Sequence, residues 1–273
     1  MGTIEQMDLG LFGPQSVVWK FHSSKVALVG GIRALMIQAL EPRAMAAVEA
    51  AGGYKADPVG RLARTIEFIQ TVSFAQTKDA MSAISRINSI HSRVNGVDPI
   101  TGMNYDASDP LQLAYVHNAF VESIAVVHEL YDPYTSISEI NAYIVEMSSV
   151  ARLLGVRDAD LPQQYQALKR WVESFDTLIS TEVAREAVGY LKSPLMPFPM
   201  DILWKVAHKG AIFSLSEKQS EMLNLHLRAK EELVTPCLVR SVMLSAQFLL
   251  PSAPIVRLAK DRAHLQWQLE HQR

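Results

Sequence analysis

Arginine, threonine and histidine side chains recur at two places in this chain at spacings that would let them share one site: Gly60-Arg61-Leu62-Ala63-Arg64-Thr65 and His91-Ser92-Arg93-Val94. The first stretch follows Asp57-Pro58, an N-cap residue with proline at the first helical position. Arg61, Arg64, Thr65, Phe68 and Val72 then fall on one stripe of that helix, at intervals of three and four. His91 falls on the apolar stripe of the next helix with Ala80, Ile84, Ile87 and Val94. Two guanidiniums can hold anionic groups, a hydroxyl can orient a small polar molecule, and a neutral imidazole can ligate a metal. Such groups are costly to bury without partners, so the pattern predicts a cofactor between the two helices. The same residues also suit a solvated face with salt bridges, and Thr65 a hydroxyl bonded back to the preceding turn.

The elements that must position these residues read as helices almost throughout. The apolar period predicts helices over 25–40 and 44–51, the latter closed by Gly52-Gly53, then over 58–75 and 78–94. A polar loop is expected from Gly96 to Ser108, and Asp109-Pro110 opens a further helix to about Leu130. Helices are expected over 136–154, stopped by Gly155, and over 162–179, 181–192, 201–213 and 237–250. The capping-box pattern Ser216-Glu217-Lys218-Gln219 opens another, to about Val234. The tail from Pro254 is charged, and no segment shows a convincing strand alternation. The Pro-rich loop 193–199 invites a domain boundary, but neither side looks self-sufficient, so one all-α domain over 1–273 is expected.

Composition narrows the partners. Hydrophobic residues make up 49% of the 273, ample for a sizeable core, and the formal charge of −2 gives no footprint for nucleic acid. Met1 to Asp8 is acidic and lacks an apolar segment, and Gly2 is followed at position 6 by Gln, which fails the myristoylation pattern. The most apolar run, Val26 to Leu40, is interrupted by Arg33 and too short to span a bilayer. With Cys237 as the single cysteine, no internal disulfide is possible, and a soluble cytoplasmic protein is expected. Cys237 lies in a helical pattern after Pro236 and reads as a core residue.

Several chemistries lack their motifs: there is no GxGxxG, P-loop, GxSxG, His-Glu-x-x-His or Glu-x-x-His, and one cysteine excludes a Cys-x-x-Cys-His haem attachment. A non-covalent cofactor held by histidine remains. Of eight histidines, His91 and His117 sit on apolar stripes in the densest part of the pattern, His117 with Ala114, Val121, Ile124 and His128. Either one also suits a satisfied core histidine, so residue chemistry alone leaves the site open.

The run Phe12-Gly-Pro14, Val18-Trp19, His22-Ser23 and Ala27 through Leu40 resembles the start of the rubber-oxygenase/MpaB-type oxygenase catalytic-domain family. The resemblance continues through Asp57-Pro58, Gly60-Arg61-Leu62, Arg64-Thr65, His91-Ser-Arg-Val, Gly96, Tyr105-x-Ala-x-Asp-Pro110, Val116-His117 and Glu146 to Val156. It covers about residues 12–200, leaving 201–273 as a helical C-terminal extension.

The resemblance implies a globin-like helical core around non-covalent haem b, with a distal arginine and threonine and a proximal histidine. Carried over by motif, Arg61 and Thr65 match the distal pair and His91 the iron ligand, with His117 a further cofactor contact. Arg64 stands where the rubber oxygenases carry a lysine; arginine is a poor iron ligand, so the distal side is expected to be open or water-filled. Glu41-Pro42 stands where relatives carry His-Pro; Glu41 is either a proton acceptor near the site or, the preferred reading, a helix-terminal residue facing water. Arg61, Arg64 and Thr65 are thus the expected catalytic residues, a hydrogen-bond acceptor on the other ring nitrogen is expected to fix the His91 ring, and Phe68 and Val72 suggest a hydrophobic substrate channel. The implied reaction is oxygenation of a small hydrophobic molecule by dioxygen or peroxide, with an electron donor as a further expected partner. Desaturation or peroxidase-like oxidation on the same scaffold, and a helical binding protein without cofactor, are the alternatives.

Overall fold

The computed structural model describes residues 7–52, 57–192, 194 and 196–271. Thirteen α-helices and a single two-stranded hairpin occur among them, an all-α domain. The expectations placed on Met1 to Gln6, on Gly53, and on Ser193 and Leu195 lie outside the described residues.

Helix α2 (Ala27–Gln38) crosses α6 (Pro110–Tyr131) in the most extensive helix–helix contact of the molecule. Gly30 permits it: a Cβ there would lie 2.7 Å from Ile124 Cδ1 and 3.1 Å from Ile124 Cα. Two apolar cores meet along this pair. One gathers Val18, Trp19 and Phe21 of α1 (Val17–His22), Ile140 to Val150 of α7 (Ile137–Leu154), and Tyr165, Leu168 and Val172 of α8 (Tyr165–Glu173) on one face of α6. The other packs α2 against α10 (Met200–Phe213) and α12 (Ala229–Leu249), with Ala184 and Val188 of α9 (Glu182–Tyr190).

Arg33, which interrupts the apolar run of α2, is 2% exposed and explains itself between the cores. Its guanidinium pairs with Glu122, donates to Ser123 Oγ at 2.7 Å and to the Ser214 carbonyl at 3.1 Å, and reaches Gln219 Oε1 at 3.2 Å. Nearly every donor is used, which is what allows a charge to remain inside.

The capping signals fall where the sequence places them. Asp57 accepts from the Gly60 amide at 2.8 Å to start α4 (Pro58–Phe74), and Asp109 accepts from Leu111 and Gln112 to start α6. Glu146 of α7 accepts from the Val17 and Val18 amides, capping α1 from across the core. Gly155, at φ 102°, stops α7.

Four expectations are corrected. The loop from Gly96 to Ser108 contains β1 (Asn95–Val97) and β2 (Asn104–Asp106), too short for an alternation to show. The helix opened by Ser216 ends as α11 (Glu217–Leu223) at Asn224, whose φ of 52° turns the chain before α12 begins. Pro236 lies inside α12 rather than before it, and Cys237 beside it is exposed, not core. The helix expected over 162–179 is shorter, spanning only α8, and ends at Glu173. The helical extension expected over 201–273 includes α13 (Pro254–His271), which buries Val256 and Ala259 on the first core.

Candidate functional site

Helix α4 and α5 (Thr77–His91) form an antiparallel hairpin turning at Ala75-Gln76. Arg61 and His91 are equidistant in sequence from Gln76, so the hairpin brings both to the same end. The two sequence motifs are therefore neighbours because the helices that carry them are paired. At the opposite end the stripe is buried, through Val72 on α4 and Ala80 and Ile84 on α5. Toward Arg61 and His91 it opens to the surface.

His91 is half-buried at the last turn of α5. Burial lowers its pKa, so the ring is neutral at pH 7. Its Nδ1 is buried and has no hydrogen-bond partner among the described residues, so the acceptor expected to fix the ring is not among them. Arg61 is half-buried, and no described group forms an ion pair or side-chain hydrogen bond with it. Burial and then the like charge of Arg64 lower its pKa, while Glu49 of α3 (Pro42–Ala50) acts the other way. Arg64 and Thr65 are exposed. Arg64 reaches Asp57 at 3.3 Å, and the Thr65 hydroxyl donates to the Arg61 carbonyl at 3.1 Å. Both contacts are those of a solvated helix face.

His117 is half-buried on α6, and desolvation lowers its pKa to about 4. Phe68 is half-buried, but Val72 is packed shut at 1% exposure and offers no channel wall. The preferred reading of Glu41 is also corrected. Glu41 is fully buried, accepts from Arg43 Nε at 2.6 Å and from the Thr177 hydroxyl, and does not face water. Proline at the start of α3 turns its carboxylate into the packed junction with Thr177, a contact distant in sequence that no helical period reveals.

An open cleft of about 450 Å³ lies between α3, the β-hairpin and the start of α9. Glu49, on its lining, is the group whose charge acts on Arg61.

The sequence reading passed over three interior histidines, His22, His128 and His208. The Ser73 hydroxyl donates to the Ile69 carbonyl at 2.6 Å, so its oxygen accepts from His22 Nδ1–H at 2.7 Å. The other nitrogen, Nε2, then accepts from the Tyr143 hydroxyl at 2.9 Å. Desolvation pushes the His22 pKa down to about 3, so this neutral tautomer ties α1, α4 and α7 together. His128 is fully buried, stacked on Phe21 at 4.0 Å, and donates from Nδ1 to the Ile124 carbonyl at 2.9 Å. Its Nε2 has no partner among the described residues, and the ring is fully buried against Phe21. Among the described residues, no group of three or more His, Cys, Asp or Glu is placed to hold a metal ion. A porphyrin asks for only one such ligand.

Neither a curated protein nor a solved structure matches this chain. The family profile described as the catalytic domain of ER-bound oxygenase mpaB/B' and rubber oxygenase does match, over residues 19–247. That span takes in α2, the α4–α5 hairpin, α6, α10 and most of α12, reaching beyond the stretch to about residue 200 that carries the sequence motifs. On that match, and on the paired helices that bring its arginine, threonine and histidine motifs to one end, the chain belongs to the mpaB/rubber oxygenase catalytic-domain family.

Proposed function

We propose that the protein is a haem-b-dependent oxygenase of a small hydrophobic substrate, using dioxygen or peroxide and, in the former case, an electron donor. The observation that carries the reading is His91: a neutral, partly desolvated imidazole whose buried Nδ1 has no partner among the described residues, at the same end of the hairpin as the Arg61 guanidinium, which pairs with none of them either. These residues fit haem. His91 would supply the iron ligand, and Arg61 either a counter-charge for a propionate or donors to the oxygen substrate; either would relieve its half-buried charge. His117 would add a neutral polar edge to the pocket. When bound, haem supplies the redox centre at which an oxygen substrate is activated.

The chain's own groups do the rest. Arg61 offers donors to an oxygen that gains negative charge, which is where a preorganised cation acts most strongly. Thr65 has spent its proton on the Arg61 carbonyl, so its oxygen is free to accept from a water or hydroperoxide. Arg64, held by Asp57, adds positive field and is no iron ligand. A reducing, cytoplasmic setting belongs to the same reading, because Cys237 is the only cysteine of the chain and is exposed.

Purification followed by haemin titration tests it: a Soret band at about one haem per chain is expected. His91→Ala should lose haem while helical circular dichroism survives, and His117→Ala should keep haem. The reverse would move the ligand to His117, and protein that takes up no haemin would remove the reading. Labelled dioxygen then separates oxygenation, which puts label into product, from desaturation or peroxidase-like oxidation.

A further inference from the structure

We infer that the cleft between α3 and the β-hairpin is the binding site for a neutral, lipophilic molecule carrying one hydrogen-bonding oxygen, held by the hydroxyl of Tyr105.

Three observations carry this. The first is the cleft's chemistry. Its walls include Met45 and Ala46 of α3 and Pro99 and Ile100 of the hairpin, and at about 450 Å³ it is of the size that small-molecule sites occupy. The second is how Tyr105 is held. Cross-strand pairing sets Tyr105 opposite Gly96. A Cβ on Gly96 would lie 2.8 Å from the Tyr105 hydroxyl oxygen and 3.0 Å from Cζ, so the phenol is laid flat over the glycine. Only glycine allows that placement. Tyr105 is half-buried, and its hydroxyl has no hydrogen-bond partner among the described residues. A half-buried phenol so placed has its donor to spend on a ligand.

The third is charge. Glu49 and Asp98 both line the cleft, and among the described residues no cationic side chain lines it with them. Asp98 is 3% exposed and its carboxylate accepts from the Ile100 and Thr101 amides, which shapes the turn. An anionic ligand would meet two carboxylates. A ketone, ester or alcohol would meet none of that repulsion and could accept from, or donate to, Tyr105. Glu49 also connects the cleft to Arg61, on which its charge acts.

As the substrate site of the enzyme, the cleft rests on the oxygenase reading. As a binding site it does not, and its test needs neither haem nor turnover. Calorimetric titration of the purified chain with 2-decanone and, separately, with decanoate compares two ligands of equal length and opposite character. The expected result is binding of 2-decanone at least tenfold tighter than decanoate. Tyr105→Phe should weaken 2-decanone roughly five- to tenfold, the loss of one hydrogen bond. Gly96→Ala should do the same with the tyrosine still present, because the added methyl displaces the ring. Ala46→Trp should fill the cleft and abolish binding, with circular dichroism confirming the fold of each variant. Equal binding of the two ligands, no binding of 2-decanone, or unchanged binding in Ala46→Trp would overturn the proposal. Haem uptake by the same preparations reports on the oxygenase reading separately, so the two failures are distinguishable.

Discussion

Arg61 and Thr65 differ in what their surroundings leave them to do. Arg61 is half-buried and has no ion-pair partner among the described residues, whereas Thr65 is exposed and bonded to its own helix. If they serve the reacting oxygen, Arg61→Ala should retain folded protein and slow turnover by about a hundredfold or more, and Thr65→Val by about tenfold. Steady-state rates on haem-loaded protein check this, and rates unchanged from the unsubstituted protein in both variants would make the face structural. Glu41 teaches the complementary lesson. A carboxylate at a helix end reads as solvated, yet Arg43 and Thr177 enclose it.

At the scale of the helices, Gly30 and Gly31 stand side by side in α2 and are not equivalent. A side chain on Gly30 would strike Ile124 of α6, while nothing lies within 4 Å of the place a Cβ would take on Gly31. Gly30→Ala should therefore cost about 1–3 kcal/mol through overpacking. Gly31→Ala should be neutral or gain about 0.5–1 kcal/mol from helix propensity. Urea denaturation of the two variants distinguishes them, and similar effects would mean that the α2–α6 contact yields more easily than its geometry implies. The α4–α5 hairpin matters in the same way, since its turn decides which ends of the two helices meet.

The whole molecule carries a pH dependence written in its interior histidines. The pKa of His22 is lowered to about 3 and those of His117, His128 and His208 to about 4, each first by desolvation. The unfolded chain, with histidines near pH 6.5, binds more protons than the folded one below that value. The stability these groups contribute is present above about pH 6.5 and is lost as pH falls toward 4 and then 3. Chemical denaturation from pH 7.5 to 4.5 should show stability falling by a few kcal/mol. His128→Phe should flatten the slope by about one proton, and a stability profile flat across that range would contradict the burial of these rings. No single helix among the described residues is long and apolar enough to cross a membrane.

The sequence by itself determined the features that depend on near neighbours. The helical period located most of the helices, and Asp57, Asp109 and Ser136 marked starts that the backbone amides confirm. The separated motifs around Arg61, His91 and Tyr105 were enough to identify the family. Tertiary structure decided what depends on partners far along the chain. Arg33 is tolerable because Glu122, Ser214 and Gln219 converge on it from three other segments. Cys237 is exposed because α12 turns that face outward, and His22 is locked because Ser73 and Tyr143 arrive from α4 and α7. Gly96 and Tyr105 are separate motifs in the sequence and one contact in the hairpin. Periodicity reports which face of a helix is apolar, but the group that completes a charge, a ring or a cleft comes from another element, and only packing brings it there.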